Sequence, residues 1–253
     1  SPPLVLAGGS RGLKAEFTSA GDDIKVQIRV KDDGELVTPE SGRIGALIEA
    51  RDTNVNDTIH AIDKFSESLI FHVNRVHSQG QAIQKFSEVT GTYYSSDSSQ
   101  SMSLEEAGLK FKPGHGSFEL HVTQNSTGQR TTHRIAVDMD GIGGPNMSLD
   151  DLVASIDAVN NISASVTSAG QLKITSDSSD FSFSFANDSS GVLASLGVNT
   201  FFQGGSAGEM HINDRLLDDP TLLAIADDHT PGGNGTAVAM ANLYDKPLDE
   251  LTG

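Results

Sequence analysis

Apolar positions between residues 44 and 77 recur at helical spacing. Ile48, Val55, Ile62, Leu69 and Val76 fall seven residues apart, and Ile59, Phe65 and Val73 fill the steps between them. Side chains at such intervals share one face, so the pattern predicts a single α-helix over 42–78 with a continuous apolar stripe. At a rise of 1.5 Å per residue that helix is roughly 50 Å long, more than a domain of this size needs for its own core. A long amphipathic helix is stabilised mainly by what covers its stripe, and the rest of the chain offers few helices. Part of the stripe is expected to serve the chain's own core. The remainder, drawn from Ile48, Val55, Ile59, Ile62, Leu69, Val73 and Val76, is expected to pack against other subunits or segments outside this chain.

Elsewhere the period shortens to two. Residues 4–7, 12–17 and 24–30 read as strands, the last from the alternation Ile24, Val26, Ile28, Val30. The turn Asp32-Asp33-Gly34 and Pro39 close this region, and Ser41 is the expected helix cap. Past Gly80 the polar, Ser-rich stretch 81–103 reads as a loop into a second domain over about 91–205. Strands are predicted there at 117–123, 131–138, 162–167, 171–176 and 181–186, the last placing Phe181, Phe183 and Phe185 on one side. A short helix capped by Ser148 runs from Leu149 towards Asn160. The expected form is one antiparallel sheet with one helix covering a face. A helical turn near 220–226 and an amphipathic start at 237–243 follow. The opening Ser1-Pro2-Pro3, with no initiator Met, and that late amphipathic start suggest a piece of a longer helical stalk.

Charge and composition narrow the function. A formal charge of −17 disfavours nucleic acid and anionic membrane surfaces, whose phosphates need clustered Lys and Arg. The absence of cysteine excludes disulfides, thiolate metal sites and Cys nucleophiles. No apolar run reaches the length of a membrane span, and no secretory signal is present. Asn-x-Ser/Thr sequons at Asn56, Asn125, Asn146, Asn161, Asn187 and Asn234 are expected by chance in a chain so rich in these residues.

No catalytic or cofactor constellation stands out. Gly8-Gly9-Ser10-Arg11-Gly12 fits the Gly-x-Ser-x-Gly pattern of a nucleophile elbow, but a strand rather than a helix follows it, so a turn is expected. His72 and His77 lie five residues apart, on different parts of the helix circumference. His115, His121 and His133 have the potential to meet across a hairpin, although exposed strand histidines are the commoner outcome. Asp138-Met139-Asp140-Gly141 and the run 177–180 lack the full ligand spacing of a calcium loop. Gly-rich 141–145 and 232–235 complete neither a dinucleotide fingerprint nor a P-loop. No cofactor and no metal is expected.

Several of these segments together resemble the flagellar hook-associated protein 1 family. The opening Gly42-Arg43-Ile44-Gly45-Ala46-Leu47-Ile48-Glu49-Ala50-Arg51-Asp52 is similar to the family's Gly-x-Leu-x-Gly/Ala-Leu-x-x-x-Arg-Asp. Ile62-Asp63-Lys64-Phe65, Val73-Asn74-Arg75-Val76-His77 and Gly80 resemble its Leu-Asp, Val-Asn-x-x-His and trailing Gly positions. Leu196-Gly197-Val198-Asn199-Thr200-Phe201-Phe202-Gln203-Gly204, then Ile212-Asn213, Asp219-Pro220 and 224–226, resemble its post-insertion segment. Gly233-Asn234-Gly235 with Ala237 resembles its Gly-Asp-Asn-x-x-Ala, with the Asp replaced. Arg51, Asp52, Asn74, His77, Phe201 and Phe202 are the family-motif positions carried over.

That resemblance implies a non-enzymatic structural adaptor joining hook to filament. It implies partners in copies of itself arranged as a ring, the hook protein, and the next junction protein or filament side. It implies export to the extracellular flagellum without a cleaved signal peptide, and terminal helices that lie outside this sequence. The expected fold is α+β: a long helical rod with short strands, of flagellar axial-protein type, plus an inserted, mainly antiparallel β domain carrying one short helix. Residues 1–90 and 206–253 would form the discontinuous rod domain, and 91–205 the outer domain. The rival readings are an extracellular adhesin or carbohydrate- or calcium-binding β module, another axial protein such as flagellin, and a hydrolase using Ser10.

Overall fold

The computed structural model describes the chain except residues 1, 2, 7, 21, 22, 40, 228–231 and 246–253. It is a mixture of helix and antiparallel sheet, resolved into two compact units, Ser1–Asp63 and Lys64–Gly253.

In the first unit, β1 (Val5–Leu6) pairs with β2 (Gly9–Ser10). Strand β3 (Leu13–Ala20) lies antiparallel to β4 (Asp23–Val30), with Leu13 opposite Val30, and β4 also pairs with the short β5 (Leu36–Val37). The alternation in β4 turns Val30 fully inward, and Val37 joins it. Strand β5 follows the 32–34 turn, where the sequence pattern ends the sheet. Two residues are too few to leave a period.

The helical run begins with α1 (Gly42–Glu49), passes through a π-helical stretch (Ala50–Val55), and continues as α2 (Asn56–His77). The regular helix expected over 42–78 is therefore interrupted. Thr53 and Asn54 are poor helix formers whose branched or short polar side chains compete with the backbone ladder, and the Thr58 hydroxyl donates to the Asn54 carbonyl at 2.6 Å. The wider π turn rotates the positions that follow relative to a strict heptad. Ser41 stands at the N-cap position with extended backbone, but its side chain makes no capping hydrogen bond.

Within Lys64–Gly253, three strands form one sheet in the order β6 (Glu88–Tyr94), β10 (Gln171–Ser176), β9 (Ile162–Val166). Three more form a second in the order β11 (Phe181–Ala186), β7 (Gly116–Gln124), β8 (Arg130–Val137). All pairings are antiparallel. Two corrections follow. The stretch 81–103 is not all loop: Val89, Thr90, Thr92, Tyr93 and Tyr94 supply the branched and aromatic residues that favour a strand, masked in the sequence by the serines after them. The domain holds two three-stranded sheets rather than one, because β10 pairs with β6 on one side and β9 on the other, while β7 pairs with β8 and β11.

The core joins both sheets. Val89, Ile162, Leu172 and Ile174 of the first belong to the same buried cluster as Phe118, Leu120, Ile135, Phe183 and Phe185 of the second. Leu149, Leu152 and Ile156 of α3 (Leu149–Asp157) complete it. Ser148 and Asp151 form a reciprocal capping box at its start. The short α4 (Val192–Ser195) is held by buried Asp188, whose carboxylate accepts from the N–H groups of Ser190, Gly191 and Leu193 and from the Ser190 hydroxyl. Further on come the ribbon β12 (Phe202–Gln203) with β13 (His211–Ile212), α5 (Asp214–Asp218) and α6 (Gly235–Ala241).

Candidate functional site

Two features bear on function. The first lies in residues 1–63. Ile44 is 51 % exposed, Leu47 61 %, Val55 49 %, Ile59 41 % and Ile62 50 %, while Ile48 is half-buried. Single exposed apolar residues are ordinary, but a helical series of them marks an interaction surface. In the second unit the same helix behaves differently. Ile70, Val73, Asn74 and His77 are buried, Leu69 and Val76 half-buried, so the face used there is offset by one residue from the 62/69/76 heptad positions.

The second feature is the buried polar clasp that the end of α2 forms with residues more than a hundred positions away. The Asn74 side chain is fully buried. Its Oδ1 accepts from the N–H groups of Phe201 and Phe202 at 2.9 and 2.8 Å, and its Nδ2 donates to the Phe202 carbonyl at 2.9 Å. One helical turn on, His77 Nδ1 lies 2.8 Å from the Asn199 carbonyl and Nε2 accepts from the Ala224 N–H at 3.1 Å. Because a carbonyl only accepts and an N–H only donates, these partners fix the neutral tautomer with its proton on Nδ1.

Asn199 closes the clasp. Its backbone sits in the left-handed region at φ 52°, which asparagine tolerates better than most residues. Its Nδ2 donates to the carbonyls of Ser78 and Gly80 at 3.1 and 3.2 Å, satisfying groups left over at the helix end. Gly80 fits because a Cβ there would stand 2.5 Å from Thr236 Oγ1, and that hydroxyl donates to the Ala226 carbonyl. Phe201 packs its ring 5.7 Å from the His77 imidazole and 4.8 Å from Phe202.

Burial pushes the His77 pKa down to about 4 from its ordinary 6.5, the hydrogen bond to Asn199 opposing the shift only in part. The unfolded chain then binds more protons than the folded one below pH 6.5. Stability from this site is complete above that pH and is lost as pH falls from 6.5 towards 4. Urea unfolding is expected to give about 2 kcal/mol less stability at pH 5 than at pH 7.5 from this group, and a flat profile across that range would contradict it.

Of the six motif positions, the structure gathers Asn74, His77, Phe201 and Phe202 at this clasp. Arg51 lies half-buried in the π stretch, and the Asp52 side chain is outside the described residues. Asn199 and Ala224 also take part, although neither is marked by a sequence signal. A lone Asn before Thr-Phe-Phe carries no periodic signal, and Ala224 acts only through its backbone.

The remaining candidates resolve into local structure. Ser10 ends β2, its hydroxyl accepts from the Gly12 N–H at 3.3 Å, and β3 follows, so no strand-to-helix elbow forms. His121 Nδ1 pairs with the Thr132 hydroxyl at 2.8 Å, and His133 Nε2 lies 3.3 Å from Thr131 Oγ1. His115 instead meets Asp138 and Asp140, with potential ligand atoms within 4.8 Å of one another. These atoms also serve the loop: His115 Nδ1 accepts from Met139 N–H, and Asp140 Oδ1 from Ile142 N–H. Asp180 accepts from Gln124 and Ser126, which hold its carboxyl below the ordinary range and tie the 124–128 turn to β11. Among the described residues no helix is long and apolar enough to cross a membrane.

Residues 1–92 match the family model described as the flagellar hook-associated protein FlgK helical domain. Those residues, a little over a third of the chain, are similar to that domain. The match covers the 42–80 motifs and runs into β6, and it bears out the resemblance of this part of the chain to the flagellar hook-associated proteins. No curated protein matches the chain.

Proposed function

We propose that this chain is a subunit of the hook–filament junction, an adaptor that assembles with copies of itself into a ring between two unlike tubes. The observation that carries the reading is the helical series Ile44, Leu47, Val55, Ile59 and Ile62, which the described residues leave about half exposed. In the ring, helices of neighbouring copies cover it, and the helical run acts as a stiff element of the wall. Residues 91–205 form an outer module, and 1–90 with 206–253 the discontinuous part built on the helix. Joining tubes requires rigid, packed surfaces rather than a catalytic pocket, so the subunit works without catalysis or cofactor. Its partners are its own copies, the hook protein on one side and the next junction protein or filament on the other, all outside the cell after export.

The clasp suits this role. Neutral, fully paired polar groups fix the end of α2 against residues 199–202 and 224 at a defined angle, since each hydrogen bond is satisfied in only one register. Electron micrographs of cells lacking this protein are expected to show hooks without attached filaments. Firmly attached filaments in those cells would contradict the proposal.

A further inference from the structure

Two depressions share one aromatic side chain on the surface of the second unit. The larger, about 650 Å³, lies among Thr92, Tyr93, Tyr94, Lys110, Gln171, Gln203 and Glu209. The smaller, about 380 Å³, lies among Tyr94, Ser96, Ser98, Thr167, Ser168 and Gly170. Tyr94 is 60 % exposed where the two meet. Tyr93, beside it, is fixed by its hydroxyl donating to the Gly204 carbonyl at 2.8 Å.

We propose that this double groove binds an extended neutral oligosaccharide, with the Tyr94 ring stacked on the face of one sugar and the flanking hydroxyl and amide groups bonded to its neighbours. The Tyr94, Ser96, Ser98 and Ser168 hydroxyls and the Gln171 amide make no hydrogen bond with other described residues. They are unused donors and acceptors around an exposed ring, the complement of a ligand with apolar C–H faces and a rim of hydroxyls. The size suits several sugar units.

Charge and backbone exclude the obvious competitors. Lys110 is paired with Glu67, and Glu209 adds a negative charge, so an anionic ligand meets no free lysine or arginine in the groove. An added peptide strand needs an open sheet edge. The edge of β6 is occupied here, with Thr92 N–H donating to the Gly197 carbonyl at 3.1 Å and Tyr93 N–H to Leu196 at 3.3 Å. Gly197 has φ 71°, and a Cβ on it would collide with Thr92, so this closure depends on glycine.

The test is titration of the intact chain with chitohexaose, cellohexaose and maltohexaose, followed by calorimetry and by tyrosine emission. The chain has no tryptophan and three tyrosines, two of which, Tyr93 and Tyr94, lie at this site, so a change in emission on binding reports on it. At least one of the three sugars is expected to bind with a Kd below about 1 mM, and Tyr94→Ala to weaken it about tenfold or more. Gln171→Ala, which removes a half-buried amide and no core contact, should weaken it about threefold with the melting temperature unchanged. Absence of binding by all three sugars at about 5 mM, or equal binding by Tyr94→Ala, overturns the proposal. Neither variant touches the helical series of residues 1–63, so the outcome is separate from that of the junction reading.

Discussion

Asn74→Ala is expected to lower the free energy of unfolding by about 4 kcal/mol, measured by urea titration with far-ultraviolet circular dichroism. The substitution leaves three part-buried backbone groups without the partner they have in the buried Asn74 side chain, the N–H of Phe201, the N–H of Phe202 and the carbonyl of Phe202. Each such loss costs about 1–3 kcal/mol when water cannot reach the site, and the cavity left by the amide adds to it. Few single substitutions reach this size, and those that do remove a buried network. A loss below about 1 kcal/mol would show that the clasp does not hold the end of α2.

The opposite behaviour is expected of the exposed series. Ile59→Asp combined with Ile62→Asp should leave the melting temperature of the isolated chain within about 2 °C of the parent, since both side chains are already about half exposed. In cells the same double variant is expected to abolish filament attachment. Two carboxylates buried between neighbouring helices lack partners, and each unpaired buried charge costs several kcal/mol. Normal attachment by the folded double variant would mean that this face is not between subunits. Loss of attachment accompanied by unfolding would mean that the face serves the chain's own core.

The contrast between these two sites explains which parts of the molecule were legible in the sequence. The strands of the second unit and the capped helix at Ser148 were readable because alternation, turn residues and the Ser-x-x-Asp cap are local signals. The first strands of the chain were readable for the same reason. The π stretch was not, since Asp52, Thr53 and Asn54 lower helix propensity without stating what replaces the α-helix. Strand β6 hid within a polar stretch, and the division into two sheets depends on pairings between segments some eighty residues apart, as in Thr90 with Lys173.

The clasp was legible only as a motif. Nothing in periodicity says that His77 is a neutral acceptor for a backbone N–H 147 residues away, or that Asn199 adopts a left-handed conformation to reach the end of the helix. Heptad spacing alone puts 69, 73 and 76 in one stripe with 48, 55, 59 and 62. The structure buries Val73 in the second unit and leaves Ile59 and Ile62 exposed in the first.

Thiol labelling tests the central claim most directly, because the chain has no cysteine of its own. Ile59→Cys should react with a maleimide readily in the isolated protein and about a hundredfold more slowly in intact purified flagella. Ile142→Cys, at a position 78 % exposed on a loop of the second unit, serves as the control that remains reactive in both. Equal reactivity of Ile59→Cys before and after assembly would contradict the account.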